Sequence, residues 1–427
     1  MKNIVTNVPN CINEFLLKFV GTIFVLSSIF KWIGLRSFAY TVNDFCGLLM
    51  VNVEAMADGE NGGKRSSISF CVLVVLCVSM QLSCTGDRDY YRVDDLKELH
   101  ISQNKDTIKG KLLLSTELSI SGIDIHDSIL IVMGNSSLPN LFYLYNVNSC
   151  DLMFSFGEIG HSSNEFQNAP TMCYFEKEGE QLLMSIPDVE STMVIDFNES
   201  MRQKRGVFAK SRIHHEAVGD YFCLNNDTSI VRKGLSYNDP RDKIYFPPKI
   251  TRYVANQAQD IVVYPKIIKS DNTGLLHFLY GAITRIKPDK AKLVEALCLM
   301  DIINIVDVKT GHVLGIKETG TYNFEEVEQI RSASELQKQM ILYNHAMYLS
   351  DSFIYLLQDR CSANDLDGDE VTKSPTLLVI DWDGNLKGQI CLDKGIRSFT
   401  CDEKHSFLYG YDVNGCIYQY DISRIFE

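Results

Sequence analysis

One local pattern recurs from residue 107 onward and constrains the fold more than any other feature of the chain. Each copy is a short run that alternates apolar and polar residues, an Asp or Asn, a polar turn and a departing run, as in IVDVKTGHVLGI. Five copies are separated by 50, 111, 74 and 40 residues, and the run ITRYVANQAQDIVV falls near the middle of the longest gap. The copies are centred on Asn146, Asp196, Tyr253, Asp307, Asp381 and Asp421. Alternation with period two predicts β-strands, and the repeat predicts six similar units.

Units of this length fit sheets of four antiparallel strands joined by polar turns. One such sheet cannot bury enough apolar surface alone, whereas six sheets in a ring pack face against face and leave only short edges. A solenoid is one alternative; a pair of β-sandwiches would need a linker, and no Pro/Gly/Ser-rich break interrupts residues 107–427. We therefore predict an all-β fold, a six-bladed β-propeller over residues 107–427, preceded by an N-terminal apolar helical or signal region.

The turn after each Asp is predicted to be the hairpin between the outer two strands of a blade. Lys309-Thr310-Gly311 and Asp383-Gly384 supply the residues that adopt positive φ in such turns. This assigns the recurring Asp-x-x-Gly element a structural role. The segment Lys287–Asp301 has some helical periodicity but leads straight into a strand-like run, so helix and strand both remain open there.

The first 84 residues carry two apolar segments of different length. Phe15–Leu35 is about as long as a bilayer requires, although two lysines interrupt it. Ile68–Met80 follows Lys64 and Arg65 and has the length of the apolar region of a signal peptide. We expect a transmembrane-like segment in residues 1–50, a tag and signal peptide in residues 51–84, and a linker over residues 85–106.

Short resemblances support that division. Phe15–Leu35 with the following RSFAYTVNDF resembles the first helix and loop of MauE/DoxX-type redox-associated membrane proteins, and NVEAMADGE is similar to the tag of the NVEALA family of secreted Bacteroidetes peptides. The pair Ser83-Cys84 resembles a bacterial lipoprotein cleavage site, which implies a diacylated Cys84 and, with Thr85 after it, export to the outer membrane. Translation from Met50 or Met56 would remove the first segment; otherwise it is a true anchor.

The C-terminal part of the chain resembles a known propeller family. FGEIGHSSNEFQNAP (Phe156–Pro170) is similar to the signature after the first blade of TolB-like six-bladed propellers of Bacteroidetes, and Leu377–Tyr411 looks like the last two blades of that family. The resemblance covers about residues 90–427. It implies a cell-envelope protein and a fold, with little chemistry attached.

Charge and cysteine content exclude some classes of function. The net charge is −13, while residues 1–83 sum to +1, so the rest of the chain carries −14. Such an acidic body repels phosphate backbones and argues against nucleic acid as a partner. The 13 cysteines include no CxxC pair and no zinc-type cluster. Small buried hydrophobic residues are favoured over a disulfide framework for Cys150, Cys173, Cys223, Cys298, Cys391 and Cys416.

Four residues are candidates for ligand contact at the central channel. Glu165 and His161 lie in the GEIGHSSNEF turn, where Glu165 could line the channel, although an exposed turn is the default for His161. Tyr409 and Tyr411 belong to a group of alternating tyrosines in the last blade; such residues usually pack in strands, but at a channel mouth they could stack on a sugar or peptide. In the same turn, Phe166 is predicted to plug the interface between blades.

One acidic loop raises the question of a metal. NDLDGDE places Asp365, Asp367 and Asp369 close together, and calcium prefers such oxygen ligands. The EF-hand frame fails, because Glu370 stands where glycine is required and Thr376 where the bidentate glutamate belongs. We expect no cofactor, with calcium at this loop as the alternative to a solvated insertion.

These observations favour a binding module over an enzyme. The sequence contains no G-x-S-x-G, P-loop or H-E-x-x-H motif, and no spacing singles out a catalytic triad. We predict an outer-membrane lipoprotein of the cell envelope that binds a protein or peptide partner at its channel mouth and is held to the membrane by a lipid anchor or N-terminal helix. The alternatives are a lactonase- or lyase-like propeller enzyme with a channel metal, and a membrane-anchored partner of a redox-associated membrane protein.

Overall fold

The computed structural model describes a set of antiparallel sheets within Cys84–Glu427. The described residues are 93–101, 106–189, 191–209, 213–214, 220–225, 227–233, 236–237, 245–246, 249–255, 257–263, 281–318, 341–362 and 374–426. The predicted membrane segment, the signal peptide and Cys84 lie outside these ranges. Within them, no helix is both long and apolar enough to cross a membrane.

Three N-terminal strands precede the six blades, and blades 1 to 3 follow them in chain order. They are β1 (Asp95–Leu99), β2 (Thr107–Ile108) and β3 (Lys111–Ser115). Blade 1 consists of β4 (Ile120–His126), β5 (Ile129–Gly134), β6 (Phe142–Asn146) and β7 (Leu152–Phe156). Blade 2 consists of β8 (Tyr174–Glu178), β9 (Gln181–Asp188), β10 (Ser191–Asp196) and β11 (Ile213–His214), with helix α1 (Phe197–Gln203) inserted before β11. Blade 3 consists of β12 (Asp220–Cys223), β13 (Thr228–Lys233), β16 (Lys249–Val254) and β17 (Gln257–Val263), with the small hairpin β14 (Ser236–Tyr237) and β15 (Tyr245–Phe246) inserted.

The last three blades repeat the same antiparallel order. Blade 4 consists of β18 (Ala282–Ile286), β19 (Lys292–Leu297), β20 (Ile302–Asp307) and β21 (Val313–Glu318). Blade 5 consists of β22 (Ile341–Leu349), β23 (Phe353–Ser362), β24 (Thr376–Asp381) and β25 (Leu386–Leu392). Blade 6 has only three strands of its own, β26 (Ser398–Asp402), β27 (Phe407–Tyr411) and β28 (Cys416–Asp421), and β3 supplies its fourth. The first strands of blades 4 and 5, of blades 5 and 6, and of blades 6 and 1 contact one another, which places the first strands at the inner wall of the ring. The predicted all-β, six-bladed propeller is confirmed.

The recurring Asp or Asn occupies one equivalent place in the blades. Asn146, Asp196, Asp307, Asp381 and Asp421 each end the third strand of a blade, and Tyr253 is the penultimate residue of β16. The carboxylates close the hairpins: the amide of Thr310 donates to Asp307 Oδ1 at 2.7 Å, and the amide of Asn385 donates to Asp381 Oδ1 at 2.7 Å. Gly311 and Gly384 have φ of 75° and 77°. The predicted structural role of the element is confirmed.

The segment that left helix and strand open forms a strand. Lys292–Leu297 is β19, the second strand of blade 4, and its apolar residues are buried on both faces of the sheet. Because both faces are covered by neighbouring blades, the sequence loses the alternation that marks a half-exposed strand.

The N-terminal strands lie along the outer edges of three blades and close the ring. Residues 93–101 and 106–115 are called the strap below. Strand β1 pairs in parallel with β21 of blade 4, β2 pairs in parallel with β25 of blade 5, and β3 pairs antiparallel with β28 to complete blade 6. Strand β1 lies inside the segment 85–106 that the sequence predicts to be a linker. Ring closure therefore joins the two ends of the described chain through backbone hydrogen bonds.

The strap also contributes an apolar side chain to four successive interfaces between blades. Val93 packs in the cluster between blades 3 and 4, and Leu99 packs in the cluster between blades 4 and 5. Ile108 packs against the cluster between blades 5 and 6, and Leu114 packs against the cluster between blades 6 and 1. One segment thus covers the rim of more than half of the ring.

Candidate functional site

Six polar side chains, one from each inner strand, interact with one another across the ring through hydrogen bonds or charge. These residues are called the channel ring: Asp124 of β4, Tyr174 of β8, Asp220 of β12, Arg285 of β18, Tyr348 of β22 and Thr400 of β26. All except Thr400 are half-buried, so part of each side chain remains accessible. The side chains come from segments up to 276 residues apart in sequence and still interact.

Asp124 links three blades. Its Oδ1 accepts a hydrogen bond from the Thr400 hydroxyl of blade 6 at 3.1 Å and from the Ile125 amide at 2.8 Å, and its Oδ2 accepts one from the Cys173 thiol, before blade 2, at 3.4 Å. Desolvation raises the pKa of the Asp124 carboxyl to about 6, although these donors and the positive charge of Arg285 oppose the rise. Asp124 therefore changes its charge close to neutral pH.

Arg285 lies on blade 4, which faces blade 1 across a ring of six. Its Nη1 donates to the backbone carbonyl of Thr284 at 2.9 Å. Among the described residues, no carboxylate forms a salt bridge with its guanidinium. Its positive charge opposes the rise in the pKa of both Asp124 and Tyr174. Most of the donor capacity of this half-buried cation is thus left for another group.

Asp220 and the two tyrosines complete the site. Asp220 begins blade 3, and its carboxylate forms no hydrogen bond or ion pair in the described part of the chain, yet its charge contributes to the raised pKa of Tyr174. The Tyr174 hydroxyl donates to Met172 Sδ at 2.6 Å. Burial, the largest cause, and the charge of Asp124 raise the pKa of Tyr348 far above its usual value, so its hydroxyl stays a neutral donor.

Buried polar pairs brace the walls around the ring. Arg232 of blade 3 and Glu295 of blade 4 form an ion pair of 2.7 Å, with side-chain exposures of 8% and 1%. The Asn344 amide donates to the Leu297 carbonyl at 2.9 Å and accepts a hydrogen bond from Gln358 at 3.0 Å, which ties blade 4 to blade 5. Removing one partner of such a pair disturbs buried polar groups, so these contacts hold blade 3 against blade 4 and blade 4 against blade 5.

The candidates Glu165 and His161 lie in the loop between β7 and β8. Glu165 Oε2 accepts a hydrogen bond from the amide of Ser162 at 2.8 Å, and this bond lowers the pKa of the Glu165 carboxyl. His161 is exposed, as an ordinary loop residue would be. Phe166 is fully buried, with its ring 5.4 Å from Phe142 and 6.4 Å from a phenylalanine of blade 2, so its predicted role between blades is confirmed.

The candidates Tyr409 and Tyr411 lie on β27, the second strand of blade 6, outside the inner wall. Both are buried, at 2% and 7% exposure, and pack with Ile417 and Ile123 between blades 6 and 1. The Tyr409 hydroxyl accepts a hydrogen bond from the Gln419 amide group at 3.1 Å. The structure gives both rings a packing role.

The remaining sequence candidates cannot be placed. Asp365, Asp367 and Asp369 lie outside the described residues, as Cys84 does. In the ranges that are described, no group of three or more His, Cys, Asp or Glu side chains could hold a metal ion. The seven described cysteines are all free thiols.

Motif reasoning missed the charged members of the channel ring. Asp124 lies in ISGIDIH and Arg285 in AITRI, each a single charge within a mostly apolar first strand. A charge at that place in a blade is a usable signal, because first strands surround the axis in this architecture. It could be used only after the blades had been divided into their strands.

Six sheets around a polar axial ring define the class as a six-bladed β-propeller. Residues 275–404, from before blade 4 into blade 6, match the family described as TolB-like 6-blade propeller-like. The predicted resemblance to TolB-like propellers is thereby confirmed. No curated protein sequence matches the chain.

Two solved structures from Bacteroides resemble the chain. A protein from Bacteroides fragilis named as exported is 10% identical, with 76% of this chain and 98% of that chain covered and a TM-score of 0.47. A DUF4221 family member from Bacteroides vulgatus is 11% identical, with 76% of this chain and 98% of that chain covered and a TM-score of 0.46.

Proposed function

We propose that this chain is a lipid-anchored, extracytoplasmic binding module whose ligand contacts the channel ring. The observation that carries the proposal is the pair of unpartnered charges, Arg285 and Asp220, on inner strands of adjacent blades. Half-buried charges lose hydration on folding, and that cost is normally offset by a partner. A ligand that supplies the missing partners accounts for both residues, and convergent polar groups in a concave site are typical of ligand binding.

The expected location in the cell envelope supports the same proposal. The basic pair Lys64-Arg65, the apolar run Ile68–Met80 and Ser83-Cys84 form a lipoprotein signal, which would leave a propeller tethered through Cys84 in the cell envelope. Mass spectrometry of the purified N-terminus tests this part. A diacylated Cys84 supports it, whereas a mature chain that starts at Met1, Met50 or Met56 contradicts it.

Binding at the channel ring can be tested by affinity capture from detergent-solubilised envelopes. The wild-type chain is compared with Asp220→Asn and with the control Asp151→Asn, which makes the same change at an exposed turn. We expect wild type and the control to retain one protein, peptide or small molecule identified by mass spectrometry, and Asp220→Asn to lose most of it. Equal capture by all three variants would place binding elsewhere, and measurable hydrolase turnover by the pure protein would contradict a binding module.

A further inference from the structure

We propose that the group bound at the channel ring is a carboxylate, held by Arg285; the inference rests on the proposed binding function and names the chemistry of its ligand. Arg285 is the cation of the channel ring, and one backbone carbonyl occupies its Nη1. A guanidinium presents further N–H groups in a planar fork that matches the two oxygens of a carboxylate. A second acceptor is therefore the missing partner of this side chain.

The neighbouring charges select the kind of anion. Asp220 and Asp124 lie on the inner strands of blades 3 and 1, and both influence the same Tyr174 hydroxyl as Arg285 does. A doubly charged phosphate would meet two carboxylates for a single guanidinium, whereas a carboxylate carries one negative charge. Since the body of the chain is also acidic, a singly charged anion fits the site better than a phosphate.

Tyr348 offers a second donor. Its side chain is half-buried on the inner strand of blade 5 and packs toward blade 6, and its hydroxyl makes no hydrogen bond with another residue in the described ranges. The raised pKa of this phenol keeps its proton in place across the physiological range. Because Asp124 interacts electrostatically with both Arg285 and Tyr348, we extend the proposal to a hydrogen bond from the Tyr348 hydroxyl to the carboxylate that Arg285 holds.

The competing explanation is that Arg285 only balances Asp124 and Asp220 at a distance. Acetate and acetamide separate the two, because they have nearly the same shape and differ in charge. Saturation-transfer NMR on the full chain in detergent follows the methyl signal of each probe at constant ionic strength. We expect saturable binding of acetate and none of acetamide, and much weaker binding of inorganic phosphate than of acetate.

Variants assign the binding to one side chain. Arg285→Gln should weaken acetate binding by about tenfold or more, because a bidentate charged contact is lost. Arg202→Gln makes the same change on exposed α1 and should bind acetate as wild type does. Should Arg285→Gln fail to fold, Tyr348→Phe provides the test, since it keeps the ring and should weaken acetate binding by about threefold to tenfold.

Several results would overturn the inference. These are equal signals for acetate and acetamide, phosphate binding as tight as acetate binding, or acetate binding that survives both Arg285→Gln and Tyr348→Phe. Failure of the inference is distinct from failure of the proposed function. If envelope capture depends on Asp220 but acetate does not bind, the proposed function stands and the carboxylate proposal fails. If acetate binding depends on Arg285 but nothing is captured from envelopes, the carboxylate proposal stands and the proposed function fails.

Discussion

Substitution of Leu99 by alanine tests whether the strap is part of the folded ring. Leu99 is the last residue of β1 and is 5% exposed, in contact with the cluster between blades 4 and 5. Replacing a buried leucine by alanine costs about 2–5 kcal/mol, less where the surroundings can collapse into the space. Because β1 is an edge strand that can settle inward, we expect a loss of about 2–3 kcal/mol.

The strap provides a matched control in Leu112, which lies on β3 and is 53% exposed. Leu112→Ala removes the same atoms from a strand of the same segment, and we expect a change within about 0.5 kcal/mol. The assay is urea unfolding of a chain that starts at residue 85, followed by circular dichroism and tryptophan fluorescence. The midpoint should fall for Leu99→Ala at an unchanged slope.

The opposite outcome is easy to recognise. If Leu99→Ala and Leu112→Ala unfold at the same urea concentration as wild type, β1 contributes no packing and residues 93–101 act as the linker that the sequence suggests. A lower slope for Leu99→Ala alone would show that blades 4 and 5 separate before the rest of the ring, since the slope reports the surface exposed on unfolding.

Three further changes test the ring and its turns by unfolding measurements. The native pKa of Asp124, about 6, lies above the ordinary aspartate value of 3.8, so the wild-type chain should lose about 1–3 kcal/mol of stability as pH rises from about 4 to about 6. Asp124→Asn should abolish that loss, and an unchanged dependence of stability on pH would refute the prediction. Gly311→Ala should cost about 2 kcal/mol or more of stability, because φ is 75° and a Cβ would lie 2.6 Å from a carbonyl oxygen of blade 3. The control Gly179→Ala has φ of 62° but open space around the Cβ, and it should cost about 1 kcal/mol. Equal losses would contradict the close approach at Gly311. Glu295→Leu should cost about 3–5 kcal/mol because it removes the carboxylate that pairs with buried Arg232. The double substitution with Arg232→Met should recover most of that loss, so purely additive losses would exclude coupling.

The repeat in the sequence is sufficient to predict the architecture, because its signals are local. Strand alternation, the Asp at the end of each third strand and the glycines of the hairpins all act over a few residues, so each unit encodes its own sheet. Those features predict six blades and the place of Asp307 and Asp381 in them. They do not show which strand of a blade lines the axis. On the sequence alone, the tyrosines of β27 are therefore as good a candidate site as any residue of an inner strand.

Ring closure determines the rest. Asp95–Leu99 is short and mostly charged, with no strand pattern of its own, and it forms β1 because the outer edge of blade 4 offers unpaired backbone groups. Asp124 and Thr400 are 276 residues apart and meet because blade 6 returns to blade 1. The sequence alone therefore determines the blades and their number, because the signals that encode them act between residues close together in the chain. The strap and the channel ring depend on long-range pairing, which exists only after the last blade has packed against the first.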